Sequence, residues 1–222
     1  MNNELTSEIV KGYGIDAGAA VVGITASKNF DSAPEGLDPE KALKGCRSVI
    51  VFGASLPKEI LLATSAEYTD DRKRMMSVIN GIAKKVAKRI KDYGYEARAV
   101  NGFGDNLIDG KKSSLISLKH AAEFAGLGTI GKNQLLINPE YGTRLWLSAV
   151  LTDADLCPDE KAQHSVCDDC NICVEACPSN ALDDASSLNK KACRETWMKM
   201  VDGRWEVVCF VCRSVCPYSF GS

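Results

Sequence analysis

The stretch that decides the reading is Cys167-Asp168-Asp169-Cys170-Asn171-Ile172-Cys173-Val174-Glu175-Ala176-Cys177-Pro178, which spells C-x2-C-x2-C-x3-C-P. This is the bacterial ferredoxin spacing, in which three thiolates hold one [4Fe-4S] cluster and the fourth ligates a second. Three cysteines two residues apart wrap one loop around one cubane, while Cys177 is expected to open the next helix and point elsewhere. A second set answers it: Cys193, then Cys209, Cys212 and Cys216 with Pro217 behind, an irregular copy that reads C-x15-C-x2-C-x3-C-P. Crossing the two fourth cysteines satisfies both clusters. One would take Cys167, Cys170, Cys173 and Cys216; the other Cys193, Cys209, Cys212 and Cys177. Zinc sites built from paired C-x2-C units leave a cysteine over, and a disulfide framework calls for an oxidising compartment and a short secreted chain.

Outward from these cysteines, 222 residues suffice for one mid-sized domain and a small one. The expected division is an α/β cofactor- or substrate-binding domain over 1–155 and a ferredoxin-like double-cluster domain over 156–222. A formal charge of -2, with both signs well mixed, gives no electrostatic footprint for nucleic acid. Asn3, Glu4 and Glu8 stand where a secretory signal would be basic and then apolar. No apolar run approaches the ~18 residues of a membrane helix. Ten cysteines, most at cluster spacing, then point to a reducing cytoplasm.

Upstream, the pattern predicts a helix over Asn3–Gly14 stopped by Gly12 and Gly14, a buried strand over Ala19–Ile24, a short helix over Glu40–Lys44 and a second buried strand over Ser48–Phe52. Cys46, at a strand entry, reads as a small buried residue rather than a ligand. The longest helix is expected over Thr69–Tyr93, with an apolar stripe and an outer face of solvated cations. A strand over Tyr95–Val100 leads to the polar, glycine-dense Asn101–Lys112 loop, the kind of segment where ligand contacts collect. A helix over Ser113–Ala125 precedes Gly126-Leu127-Gly128-Thr129-Ile130-Gly131-Lys132. That string spells G-x-G-x-x-G, but the dinucleotide fingerprint needs a strand before it and a helix after it. Here a helix comes first and a strand, Gln134–Ile137, follows. The glycines are expected to end the helix in a left-handed turn and to let backbone approach a flat ligand or the clusters. Gly126, Gly128, Gly131, Lys132 and Asn133 are therefore the candidate cofactor-binding residues. A turn at Asn138–Gly142, a strand over Arg144–Leu151 and a linker over Thr152–Gln163, carrying a free Cys157, complete an α/β or α+β sandwich.

Leu118-Lys119-His120-Ala121-Ala122, Ala125–Gly128, Gly131-Lys132-Asn133, Pro139–Gly142 and Val150-Leu151-Thr152-Asp153 together resemble the epoxyqueuosine reductase family, and in part the reductive dehalogenases. Both families continue into a double-cluster segment, matched here by Cys167–Pro217 including the displaced Cys193. The resemblance implies a nitroreductase-like α/β sandwich holding a base-off cobalamin against a cluster, where reduced cobalt acts on the substrate. Two departures stand out. Lys112, before Ser113-Ser114, occupies the place of the family's catalytic aspartate, and no C-terminal helical repeats follow Pro217. With the negative charge, these argue against tRNA as a partner.

The resulting expectation is a cytoplasmic oxidoreductase that passes low-potential electrons through two [4Fe-4S] clusters to a corrinoid, with FMN as the alternative occupant. Its donor would be a ferredoxin or flavodoxin, its substrate a small molecule or a corrinoid protein, and no membrane is involved. Candidate proton donors are Tyr141, Lys112, Lys119 and His120, which need reach and a suitable pKa. The plainer reading of His120 is a structural histidine, and of Tyr141 a packing residue. The competing expectations are an electron carrier or reductive activator for a separate metalloenzyme or corrinoid enzyme, and a flavin-dependent reductase.

Overall fold

The structure, a computed structural model, describes residues 4–32, 37–102, 106–108, 111–113, 115–163, 166–183 and 187–221. The chain forms two compact units that do not follow chain order. The first comprises Met1–Ala54, Met75–Leu127 and Trp146–Ala162; the second Ser55–Arg74, Gly128–Leu145 and Gln163–Ser222. The boundary expected after residue 155 falls inside the first unit, and two upstream segments belong with the cysteines.

The first unit is built on strands β1 (Val21–Ala26), β2 (Ser48–Ser55), β3 (Ala97–Val100) and β8 (Leu145–Thr152), in the order β1-β2-β8-β3. β1 pairs antiparallel with β2, as Ile24 opposite Ile50, and β3 with β8, as Ala99 opposite Val150. The bonds Arg47 N to Thr152 O (2.9 Å) and Leu56 N to Arg144 O (3.0 Å) lie at opposite ends of β2 and β8, so these two also run in opposite senses. Every residue of β2 but its last is buried, which explains its unbroken apolar run: both faces of the strand are covered. Helices α1 (Ser7–Asp16) and α2 (Pro39–Ala42) accompany the sheet. Helix α3 (Ser65–Asp92) supplies Ile79, Ile82, Val86 and Ile90, at spacings of three and four and all fully buried, against Ile50, Phe52 and Val150.

Several boundaries differ from the sequence reading for identifiable reasons. Gly12 and Gly14 lie inside α1, not at its end. A Cβ on Gly14 would come within 2.6 Å of Val22 Cγ2 and 2.9 Å of Phe52 Cε1, so this glycine serves helix–sheet packing. Thr6 caps the helix, its side chain accepting from Ile9 N. Helix α3 starts at Ser65 rather than Thr69 because Thr64 and Glu67 form a capping box. Glu67 N donates to Thr64 Oγ1 at 3.3 Å, and Thr64 N donates to Glu67 Oε2 at 2.8 Å. Helix α4 spans only Leu118–Phe124, since Lys111–Ser113 (β5) pairs instead with Asn106–Ile108 (β4). Residues 103–105, 109 and 110 of the expected ligand loop, and 114 of the helix expected after it, lie outside the described residues. The Thr152–Gln163 linker is largely tied to the first unit. Asp159 exchanges backbone and side-chain bonds with Ile24 and pairs with Lys11 at 2.5 Å.

In the second unit, β6 (Thr129–Ile130) and β7 (Leu136–Ile137) form a short ribbon. Its partners are α5 (Ile172–Glu175), α6 (Lys190–Trp197), the β9 (Met198–Val201) and β10 (Arg204–Val207) hairpin, and α7 (Val211–Ser214). Asp202 and Gly203, at φ 46° and 82°, supply the left-handed pair that a two-residue hairpin turn requires. The first residues of α3 count with this unit: Tyr68 stacks on Phe210 at 4.1 Å and Thr69 Oγ1 accepts from Val207 N at 2.8 Å. The arginine Arg72, expected on the solvated cationic face, is buried and lies 4.9 Å over the Trp197 ring. Among the described residues, no helix is long and apolar enough to cross a membrane.

Candidate metal centre

The cysteines sit on two copies of one local structure, Cys170–Pro178 and Cys209–Pro217. Asn171 (φ -122°, ψ 10°) and Phe210 (φ -137°, ψ 26°) play the same part at the head of α5 and α7. One turn of helix follows each, bearing Cys173 and Cys212, and each stops before the cysteine that precedes proline, where the next residue cannot extend a helix. The two short helices pack against each other. The repeat read from the cysteines is therefore a repeat in backbone geometry.

Mutual electrostatics show which thiols lie together. Burial pushes the Cys173 thiol up, and charge on Cys216, Cys167 and Cys170 pushes it further. Burial likewise raises Cys216, which also feels Cys167 and Cys170. Cys216, distant in sequence, thus keeps company with the first three cysteines. Burial raises Cys212 to about 11, eased by Arg213 and reinforced by Cys209, Cys193 and then Cys173. Cys177 differs. Burial pushes its thiol up, but hydrogen bonding with the Ser179 hydroxyl and from the Ala181 amide (3.3 Å) outweighs this, and the net shift is downward. Amide donors on sulfur suit a thiolate that ligates a metal. Among the described residues no three His, Cys, Asp or Glu side chains close on one point, as they would around a single ion. A cubane instead takes thiolates spread around its corners, and an all-cysteine donor set fits it.

Residues Gly131, Lys132 and Asn133 clasp both cysteine loops. A Cβ on Gly131 would lie 3.2 Å from Cys167 Sγ and 2.6 Å from Ile137 Cδ1, so backbone passes close to the first loop there. Lys132 Nζ donates to Asn171 Oδ1 at 2.9 Å and to Asp168 O at 3.3 Å. Buried Asn133 donates from Nδ2 to Cys212 O at 3.2 Å on the second loop and accepts from Leu135 N at 3.0 Å. Protein also occupies the space at the other glycines. Gly126 (φ 74°) ends α4, with Glu160 O 2.5 Å from where its Cβ would be, and Gly128 (φ 146°) lies against Ile137 O. These positions contribute to holding the chain together.

The candidate proton donors sit on separate elements of the chain. His120 is half-buried on α4, its Nδ1 2.6 Å from the Ser117 hydroxyl; burial lowers its pKa, with Glu123 opposing and Lys119 and Lys161 reinforcing. Tyr141 belongs to the second unit, in a turn held by Asn138 Oδ1, which accepts from Glu140 N and Tyr141 N at 2.9 and 2.8 Å. Hydrogen bonding to Glu140 raises the Tyr141 pKa. Lys112 lies in β5 opposite Leu107. Cys46 is buried, with Sγ 3.5 Å from Ser48 O and its thiol pushed up to about 11, while Cys157 is exposed.

A mixed α/β unit joined to doubled ferredoxin-type cysteine loops defines an iron–sulfur protein, and residues 163–183 match the model of the 4Fe-4S binding domain. More particularly, the chain is similar to epoxyqueuosine reductases. It is 28% identical over 218 residues to that of Lactococcus garvieae, covering 87% of this chain and 57% of the relative, so it spans little more than half of that protein's length. The structure shares its fold with the epoxyqueuosine reductase of Streptococcus thermophilus (TM-score 0.69, 20% identity, 100% of this chain and 67% of that one). It also shares it with a catabolic reductive dehalogenase (TM-score 0.79, 19% identity, 99% and 33%). One similar solved chain is an epoxyqueuosine reductase with a tRNA stem loop (TM-score 0.64, 19% identity, 96% and 64%). Another is a dehalogenase whose structure suggests a B12-dependent mechanism (TM-score 0.64, 19% identity, 96% and 31%). The tRNA-bound relative runs opposite to the expectation that argued tRNA away from this chain.

Proposed function

We propose that this protein is an iron–sulfur oxidoreductase in which two [4Fe-4S] clusters pass electrons one at a time to a corrinoid. The observation that carries the reading is the company of Cys216 with Cys167, Cys170 and Cys173, the arrangement that crossed ferredoxin loops require. Cys177, with its thiolate favoured by the Ala181 amide, then completes the set of Cys193, Cys209 and Cys212. The Gly131-Lys132-Asn133 clasp orients both loops and brings an ammonium and amide donors to them, which lowers the cost of added negative charge there. The α/β part is read as a nitroreductase-like domain, in a cytoplasmic protein.

The corrinoid is supported by the B12-dependent relative. It supplies a low-potential metal able to deliver electron pairs to a substrate. The polar, glycine-dense Asn101–Lys112 loop is the proposed place to hold it. FMN in the same place is the second reading. Tyr141, Lys112 and His120 remain proposed proton donors. Of these, Tyr141 has the phenol kept protonated beside Glu140, whereas burial lowers the His120 pKa and favours the neutral imidazole, which accepts a proton rather than gives one.

The test is anaerobic purification and reconstitution, followed by iron and sulfide analysis and an absorption spectrum before and after adding cobalamin or FMN. The expected result is eight irons and eight sulfides per chain, the sum of two cubanes, with a spectral change on adding cobalamin. Four irons, or clusters with no response to either cofactor, would favour a simple electron carrier. Turnover with epoxyqueuosine-containing tRNA then separates a tRNA-borne substrate from a small molecule.

A further inference from the structure

The fifteen residues between Cys193 and Cys209 are where the second cysteine set departs from the first. They fold as the end of α6 and the β9–β10 hairpin. A mere spacer between two ligands would need no particular surface, yet this one has a definite surface. Trp205 stands directly opposite Met200 across the hairpin, and both are exposed, at 57% and 54%. A paired Trp and Met left in water is the anatomy of an interface core.

The hairpin is also fixed. Buried Glu206 accepts from Ser65 Oγ (2.5 Å) and pairs with Arg204 Nε (2.9 Å), while Arg204 Nη2 reaches Asp70 Oδ1 at 3.1 Å. Its apolar pair is therefore presented by a rigid element. Around it exposed cations outnumber the exposed carboxylates Glu195 and Asp202. Helix α6 runs straight into β9 and stays in contact with it, and Lys190, Lys191 and Arg194 on α6 and Lys199 on β9 are all exposed. None of the four joins an ion pair among the described residues, and Glu195 is the one carboxylate on α6. Half-buried Cys193 lies on the same helix, within a turn of Lys190 and Arg194.

We infer that α6 and the β9–β10 hairpin form the docking surface for an acidic, low-potential one-electron donor protein, which delivers its electrons on the side of Cys193, Cys209 and Cys212. The inference rests on the cluster reading proposed above. Unpaired cations attract and orient an acidic partner, and Trp205 with Met200 gives the dry centre that holds it. An apolar centre inside a cationic rim favours a protein over a phosphate backbone, which is held by charge along its length. In each encounter the donor's reduced centre loses one electron and the adjacent cluster gains it; no proton or group moves.

The experiment uses reconstituted holoprotein and follows cluster bleaching under anaerobic stopped flow, with photoreduced flavodoxin as the protein donor and dithionite as the small one. The variants are K190E/K191E/R194E and, separately, Trp205→Ala. The second-order rate with flavodoxin is expected to fall at least about tenfold in the charge-reversed protein, with loss of its salt dependence. Trp205→Ala is expected to weaken saturation by flavodoxin about tenfold. Iron content and the dithionite rate should stay at the wild-type level in both. A wild type without clusters would refute the underlying cluster reading. Intact clusters with unchanged flavodoxin rates would overturn the docking surface alone. The same overturning follows if the variants keep those rates but lose binding of a tRNA stem-loop probe, which would assign the surface to nucleic acid.

Discussion

At Gly131 a methyl group would sit 3.2 Å from Cys167 Sγ and 2.6 Å from Ile137 Cδ1, so one of these neighbours must shift to admit it. Gly131→Ala is expected to displace the Cys167 loop and lose about half of the iron, leaving the set of Cys193, Cys209 and Cys212 loaded. Retention of all the iron would show that the loop yields instead. Cys46 makes the opposite case, a buried cysteine outside both cluster motifs. Burial pushes its thiol pKa up to about 11 from an ordinary value of 9.0. The sign is that of a raised folded pKa: its contribution to stability is complete below about pH 9 and is lost as pH climbs through about 11. A decline of up to about 2–3 kcal/mol over that window follows from two pKa units. Denaturant midpoints measured across it should fall for the wild type and less for Cys46→Ala. The burial of Cys46 was legible in the sequence from its place at a strand entry. The clasping roles of Lys132 and Asn133 were not, since their partners lie 36 to 79 residues downstream and no local pattern announces them.

Local chemistry sets the ends of the elements, and here the sequence could have been read further. Thr64-Ser65-Ala66-Glu67 is a capping box in plain view, and it adds a turn to α3 that the apolar stripe alone does not reveal, because the stripe starts only where burial does. Thr64→Ala is expected to cost about 0.5–2 kcal/mol by removing the acceptor for the Glu67 amide, read as a lower denaturant midpoint with an unchanged slope. An unchanged midpoint would mean that water replaces the cap. Gly14 misled for the converse reason. Glycine signals a helix stop when it adopts positive φ, but inside α1 it is a gap through which Phe52 and Val22 approach, a fact that exists only once the helix is packed on the sheet. Overpacking by Gly14→Ala is expected to cost about 1–3 kcal/mol, although alanine is the better helix former. A stabilised Gly14→Ala protein would show that the sheet shifts at little cost.

At the scale of the whole molecule, the two units interleave along the chain. Ser55–Arg74 and Gly128–Leu145 group with the cysteine segment, a consequence of long-range contacts that no periodicity carries. The cysteine repeat, by contrast, was fully legible, since its spacing fixes its own backbone and the two copies fold alike. What the spacing alone leaves to be tested is the crossing, and single substitutions cannot decide it: losing any one ligand removes one cluster and about half the iron, whichever cluster it is. Pairs can. If Cys216 shares a cluster with Cys167, as its electrostatic company indicates, Cys167→Ala with Cys216→Ala removes two ligands from one cubane and leaves the other, about half the iron. Cys167→Ala with Cys177→Ala strikes both cubanes and should leave almost none. Uncrossed loops demand the reverse, with the Cys167/Cys177 pair keeping half the iron and the Cys167/Cys216 pair keeping almost none. Iron and sulfide analysis of the two double variants therefore reads out ligand connectivity directly. A reversed pattern would also put Cys177, rather than Cys216, on the loop next to Gly131.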